Sequence, residues 1–122
     1  MTEISNNKKR YDLEDRTFRF ARDVRVFTGQ LPKTPRNHED GKQVIRSSGS
    51  IGANYIEANE CLGKKDFAMK IRICRKEAKE TIYWLRLLDA GGNEQFESTR
   101  GVLIQECTEL MKIFGAILEK CK

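Results

Sequence analysis

Apolar residues recur at alternating steps of three and four between Asp66 and Leu88, the most strongly patterned stretch of the chain. Residues spaced in this way lie on one face of an α-helix. One stripe is apolar around a central threonine and comprises Phe67, Ile71, Cys74, Ala78, Thr81, Leu85 and Leu88. A second, adjacent stripe comprises Ile73, Glu77, Glu80, Trp84 and Leu87. A helix with two such stripes is expected to pack against more than one neighbour.

Three other segments show the same helical periodicity. Their stripes are Leu13, Thr17, Phe20, Val24, Phe27 and Leu31 in the first, Val44, Ser48, Ile51 and Tyr55 in the second, and Leu103, Cys107, Leu110, Phe114, Ile117 and Cys121 in the last. Pro32 and Pro35 are expected to end the first helix because proline lacks a backbone donor. Asn37 and Asp66 are the predicted N-caps of the second and third helices.

The four helices are therefore predicted at residues 13–31, 38–62, 66–90 and 95–120. Their short connections predict an all-α fold, an antiparallel up-down-up-down four-helix bundle, as one domain over residues 12–122. Residues 1–11 are polar and are predicted to form a flexible tail, with no secretory signal. The sequence lacks a run of ~18 apolar residues, so no contact with a membrane is expected.

The second helix contains a run of small residues that weakens it locally. Residues 47–53 include two glycines and three serines, and each glycine costs about 1 kcal/mol relative to alanine. A Gly/Ser loop is the rival interpretation, but the apolar phase set by Val44 continues through the run. We therefore expect a helix in which Ser47, Ser50 and Ala53 allow the third helix to approach closely.

Polar residues interrupt the stripes of the second and third helices. The set comprises Ser50, Asn54 and Glu57 on the second helix, and Glu77, Glu80 and Trp84 on the third. A buried carboxylate is costly without partners, so we expect Glu77 and Glu80 to be largely buried and hydrogen-bonded. Such a structural network would fix the register of the two helices. A ligand pocket between them is the alternative.

The excess positive charge is concentrated on the first and third helices. The 122 residues carry a formal net charge of +5, which permits an acidic partner without requiring one. Within each of these helices, basic residues three or four positions apart share a face. The candidates for nucleic-acid binding are Arg16, Arg19, Arg22, Lys70, Arg72, Arg75, Lys76 and Lys79. Such faces can bind phosphates, although a solvated surface is the simpler explanation.

Catalytic chemistry finds little support in the sequence. His38 is the single histidine and no Glu-x-x-His motif occurs, so no metal site, cofactor or catalytic residue is predicted. The four cysteines form no C-x-x-C pair. Cys74 and Cys107 fall on apolar stripes and are predicted to be core thiols. Free thiols of this kind are typical of a reducing cytoplasm, which is the expected location.

Three short motifs resemble a known bacterial family. They are R-S-S-G-S-I-G-A-N-Y-I-E-A at 46–58, K-D-F at 65–67 and E-A-K-E-T at 77–81. The chain resembles the four-helix-bundle proteins first noted in intervening sequences of large-subunit ribosomal RNA genes, to which accessory proteins of diversity-generating retroelements are similar. The matching positions are Ser50, Ile51, Ala53, Asn54, Glu57, Glu77, Ala78 and Glu80. This resemblance implies a ring, typically a homopentamer, with nucleic acid or a nucleic-acid enzyme as partner and no catalytic activity.

We therefore expect a non-enzymatic, oligomeric module that binds nucleic acid, or an RNA/DNA-protein complex, through basic faces of its first and third helices. The alternative is a protein-interaction scaffold with no direct nucleic-acid contact. Apolar residues outside the main stripes favour a closed cyclic homo-oligomer. They are Phe18, Ala21, Val102, Ile104, Met111 and Leu118.

Overall fold

The computed structural model describes residues 2–122, with side chains described from Leu13 onward. Across this part of the chain the elements are α1 (Thr2–Gln30), α2 (Pro35–Glu60), α3 (Lys64–Leu87) and α4 (Glu94–Lys120). Each helix contacts the next one along the chain, and α4 returns to contact α1. These contacts confirm the predicted all-α four-helix bundle. The flexible tail predicted at residues 1–11 lies outside the described side chains and stays a prediction.

The core is built from the stripes that the periodicity predicts. Large and fully buried side chains come from all four helices, among them Phe20, Phe27, Ile51, Ile71, Leu85, Leu110 and Phe114. The main stripe of α3 is buried along most of its length because α3 packs against both α2 and α4. Each large apolar side chain removed from water contributes about 1.5–3 kcal/mol, so this shared wall accounts for much of the stability.

All four helices begin before their predicted first residues, and for α2 and α3 the N-cap differs from the predicted one. The Thr34 hydroxyl caps α2 by accepting a hydrogen bond from the Asn37 backbone N–H at 3.1 Å. Pro35 follows in the first turn, where its missing donor has little cost. The prediction of Asn37 as the N-cap is therefore wrong. Likewise Gly63 precedes α3, and Asp66 lies inside the first turn, where its charge interacts favourably with the helix dipole.

The turn between α3 and α4 requires glycine at two positions. Gly91 and Gly92 have φ angles of +65° and +74°, in the left-handed region that glycine adopts without a steric penalty. A Cβ atom added to Gly91 would also lie 2.7 Å from Pro32. The glycine pair thus ends α3 and allows the preceding loop, between α1 and α2, to lie against this turn.

One end of the bundle is held by side chains that bond to the backbone of another element. The Asn37 amide donates to the Asp89 carbonyl at 2.9 Å, and its oxygen accepts from the Asp89 N–H at 2.8 Å. Arg100 of α4 donates to the carbonyls of Leu85 and Leu88 at the end of α3. Those are carbonyls that a helix leaves without internal partners. The starts of α2 and α4 are therefore fixed against the end of α3.

The small residues of α2 serve its contact with α1 as well as its contact with α3. A Cβ atom added to Gly52 would lie 2.9 Å from the Thr17 hydroxyl oxygen and 3.2 Å from the Thr17 Cβ. Ser47 does face α3, where it lies 2.8 Å from the Thr81 hydroxyl, but Ala53 is exposed. The expected approach of α3 is therefore correct at Ser47 and wrong at Ala53. Successive helical residues point in different directions, so one run serves two neighbours.

Gly52→Ala is expected to destabilise the chain by about 1–3 kcal/mol. The added methyl group would overlap Thr17, whose hydroxyl is held by the carbonyls of Leu13 and Glu14 at 2.8 and 3.0 Å. The matched control is Gly101→Ala in α4, where an added Cβ meets nothing within 4 Å and should gain about 0.5–1 kcal/mol. Urea unfolding of both variants beside the parent measures the difference. Equal gains at the two positions would contradict the close contact.

Candidate nucleic-acid interface

The outer side of α3 carries a row of exposed basic side chains. The inward stripe of α3 packs against α2 and α4, so helical geometry directs the opposite side to solvent. Arg72, Arg75, Lys76 and Lys79 are all exposed there. These predicted candidates therefore share one accessible side of a single helix.

The positive charge of this row is largely not neutralised. Within the described residues, Arg72, Arg75 and Lys79 form no ion pair with a carboxylate. Lys76 Nζ lies 4.0 Å from Glu77 Oε2, at the outer limit of an ion pair. An anionic ligand can therefore approach most of the row without displacing an acidic side chain.

Two further residues extend the row and were not among the predicted candidates. Tyr83 is 57% exposed, Arg86 is exposed, and both continue the steps of four and three from Lys76 and Lys79. The Tyr83 ring lies edge-on to Trp84, with centroids 5.1 Å apart and planes at 80°. This spacing is the sequence signal that could have identified them. We call the following set the α3 face: Arg72, Arg75, Lys76, Lys79, Tyr83 and Arg86.

The three predicted arginines of α1 each lie near an acidic side chain. Arg16 donates to both carboxylate oxygens of Glu106 on α4, at 2.8 and 2.9 Å. Its side chain is only 25% exposed. The other two arginines pair within α1, Arg19 with Asp15 at 2.9 Å and Arg22 with Asp23 at 3.6 Å. Arg16 therefore ties α1 to α4 and is not available as a free charge. The Arg19 and Arg22 pairs are exposed and weak, so each aspartate only reduces the local positive charge.

Lys70 also joins two helices. Its Nζ lies 2.6 Å from Glu57 Oε1 on α2, and the hydrogen bond and charge of Glu57 raise the pKa of Lys70. Lys70 was predicted to bind nucleic acid and Glu57 to belong to the polar network. The two side chains instead neutralise each other across the contact between α2 and α3.

The polar residues between α2 and α3 do not form the single network that was predicted. Glu77 is 7% exposed, but its Oε1 has no hydrogen-bond partner among the described residues. The Asn54 amide donates to the Ser50 carbonyl within α2 at 2.8 Å, so this donor is already occupied. Glu80 and Trp84 are only half-buried. Burial is expected of both glutamates and holds for Glu77 alone.

A neutral hydrogen bond links these two helices instead. The hydroxyl oxygens of Ser47 and Thr81 lie 2.8 Å apart, and both residues are fully buried. Thr81 is also 2.8 Å from the Glu77 carbonyl, to which it can donate. The sequence signal for this pair is the threonine in the otherwise apolar stripe of α3, together with a serine on the preceding helix, α2. Because neither group is charged, its burial needs no counter-ion.

The two core cysteines are not activated nucleophiles. Cys74 and Cys107 are free and fully buried, which confirms the predicted core thiols. Burial raises the pKa of each thiol to about 12, so both are protonated at neutral pH. His38 is exposed at the start of α2. Among the described residues no group of three His, Cys, Asp or Glu side chains is placed to hold a metal ion.

None of the described helices combines the length and apolarity needed to span a bilayer. A family model described as 23S rRNA-intervening sequence protein matches residues 9–116. A crystal structure from the S23 ribosomal protein family of Bacteroides thetaiotaomicron, described as a protein with unknown function, is 33% identical with a TM-score of 0.71. The match covers 91% of this chain and 98% of that one. No curated protein matches the chain.

Glu77→Met is expected to raise the free energy of unfolding by about 1 kcal/mol, because it removes a buried oxygen that lacks a partner. Methionine is unbranched and adaptable, so it can occupy the same space. Glu80→Met is the matched control at a half-buried position and should change stability less. Thermal unfolding of both variants provides the measurement. A clear loss of stability for Glu77→Met would mean that the carboxylate has a partner in solution.

Proposed function

The chain belongs to the family of 23S rRNA-intervening sequence proteins, and on that premise we propose that it is a non-enzymatic module that binds nucleic acid through the α3 face. The observation that carries this proposal is the row of exposed cations on one side of α3, most of which have no acidic partner. RNA is the first ligand to test because the description of the family names ribosomal RNA.

The α3 face has the composition that phosphate binding requires. Cations bound to phosphates release condensed counterions, which provides a favourable and salt-dependent free energy. Arg72 and Arg86 are fourteen residues apart, and at 1.5 Å per residue they span roughly 21 Å of helix. Several successive phosphates fit along that length. Tyr83 adds a ring on which an unpaired base can stack, which favours single-stranded or looped RNA over a regular duplex.

The absence of catalysis is part of this proposal. The α3 face consists of arginine, lysine and tyrosine and contains neither a histidine nor a carboxylate. Histidine and carboxylate side chains are the usual general acids and bases near neutral pH. The thiols of Cys74 and Cys107 are removed from solvent. Binding and positioning of RNA is therefore the role that these side chains support.

The double variant Arg72→Gln/Lys79→Gln is expected to weaken RNA binding and to flatten its salt dependence. Each phosphate contact contributes about 0.7–0.9 to the slope of log affinity against log salt, so losing two contacts should reduce the slope by about 1.4–1.8. Fluorescence anisotropy with a labelled single-stranded RNA, between about 50 and 200 mM salt, measures both quantities. The same titration with DNA of equal sequence tests the preference for RNA.

The control for this experiment is Arg19→Gln/Arg22→Gln, which removes the same charge from arginines already paired with aspartates. It should retain most of the affinity. If the parent chain fails to bind at low salt, or binds without a salt slope, the nucleic-acid proposal is wrong. A protein-interaction scaffold without direct nucleic-acid contact would then be the better explanation.

We also propose that copies of the chain assemble into a closed ring, with a pentamer as the state that the family resemblance implies. Phe18 and Val102 are each 66% exposed. Phe18 lies with Ile56 in a groove between α1 and α2, and Val102 lies between α1 and α4. The other apolar residues predicted for this role are half-buried or buried: Ala21, Ile104, Met111 and Leu118. A ring would place several α3 faces on one particle, which strengthens binding to a polyanion.

Phe18→Glu is expected to reduce the assembled mass toward the 14.1 kDa of one chain, because a charge would be buried at the contact. Met69→Glu is the control, since Met69 is 54% exposed on α3 and lies outside both grooves. Light scattering at micromolar concentration measures the mass. A parent chain with the mass of a monomer would rule out the ring.

A further inference from the structure

A cavity of about 630 Å³ opens where α1 turns into α2, at one end of the bundle. The end of α1, the loop at residues 31–34 and the first turns of α2 line it, and no residue of the α3 face takes part. Sites for small molecules typically enclose about 300–1,000 Å³. The cavity is therefore large enough for a ligand of its own.

Basic side chains line this cavity, and no Asp or Glu of the described chain does. The basic set is Arg25, Lys33, His38 and Lys42. Arg25 donates to the Ala21 carbonyl at 3.1 Å, and within the part of the chain with described side chains it forms no ion pair with a carboxylate. Lys42 lies 3.5 Å from Glu39, but both side chains are more than 60% exposed, and exposed pairs of this kind are weak. An excess of positive charge therefore surrounds the cavity.

The N-terminal end of α2 adds to this charge. A helix carries roughly half a positive charge at its N-terminus, and Thr34, Pro35 and Asn37 bring that end of α2 to the cavity. The first turn of α2 has no acidic residue, whereas the first turns of α3 and α4 do. Because Thr34 already caps the Asn37 N–H and Pro35 has no N–H, this end of α2 contributes the positive charge of its dipole more than free backbone donors. Together with the basic side chains, that charge favours an anionic group.

The rest of the wall is apolar and open. Leu31, Pro32 and Ile45 contribute aliphatic surface. A Cβ atom added to Gly29 or Gly41 would meet nothing within 4 Å, so both glycines border free space. A ligand that carries both a phosphate and a weakly polar ring would contact the charged part and the apolar part of this wall at the same time.

We propose that this cavity binds the phosphate monoester of a nucleotide. The phosphate lies between Lys33 and Lys42 beside the start of α2, and the base lies against the apolar wall. A free nucleotide and the 5′-phosphorylated end of an RNA strand present the same chemistry to these residues. The site shares no residue with the α3 face, so it does not depend on the function proposed for that face.

Calorimetric titration of the full chain with AMP, adenosine and inorganic phosphate tests the site. AMP is expected to bind at least about tenfold more tightly than either fragment, because it alone contacts both parts of the wall. Lys33→Gln should weaken AMP binding by about tenfold through loss of one charge-assisted hydrogen bond. Gly41→Met places a side chain in the free space beside Gly41 and should abolish binding. Lys79→Gln on the α3 face is the control and should leave AMP affinity unchanged.

The two ligand sources are separated with 5′-phosphorylated and 5′-hydroxyl RNA of one sequence, added to Arg72→Gln/Lys79→Gln so that the α3 face contributes little. Phosphorylated RNA that binds more tightly than AMP identifies the strand end as the ligand, and the reverse order identifies the free nucleotide. The proposal is overturned if neither phosphorylated probe binds, if adenosine binds as well as AMP, or if Lys33→Gln binds AMP like the parent. Thermal unfolding confirms that each variant is folded.

Discussion

Burial of α3 between α2 and α4 is the constraint on which the other features of the molecule depend. Ile71, Cys74 and Leu85 are fully buried, and this fixes the rotation of α3 about its axis. Because residues three and four apart share a helical face, the same rotation directs Arg72 and Lys79 outward. The α3 face is thus a consequence of core packing. A core substitution that rotated α3 would change the surface without touching any of its residues.

Many of the charged residues join helices, and only the remainder is available to a ligand. Arg16 reaches from α1 to Glu106 on α4 with two short hydrogen bonds, a geometry stronger than an ordinary surface pair. Lys70 links α3 to α2, and Arg100 binds the carbonyl groups at the end of α3. The net charge of +5 therefore understates how unevenly charge is distributed. The charges left over include those of the α3 face and those around the cavity between α1 and α2.

The contact between α2 and α3 contrasts two ways of burying polar groups. Ser47 and Thr81 satisfy each other and remain neutral, which is inexpensive in a core. Glu77 is buried beside them with one oxygen unpartnered, although an unsatisfied acceptor is costly. Glu77 also belongs to the E-A-x-E motif that carries the family resemblance. The hydrogen bond across this contact is the one between Ser47 and Thr81. The position of Glu77 is therefore not explained by a hydrogen bond of its carboxylate.

The sequence by itself determined the four helices, the core stripes and the free core thiols, because burial imposes a period of three and four that local sequence displays directly. It did not determine the cap of α2, since Thr34 and Asn37 are both residues that cap helices well. Only the tertiary structure decided which charges are free. The partner of Arg16 lies 90 residues away, and the close contact at Gly52 depends on Thr17 of another helix. Contacts between residues so distant in the chain leave no mark in local spacing, because they depend on how whole helices are placed.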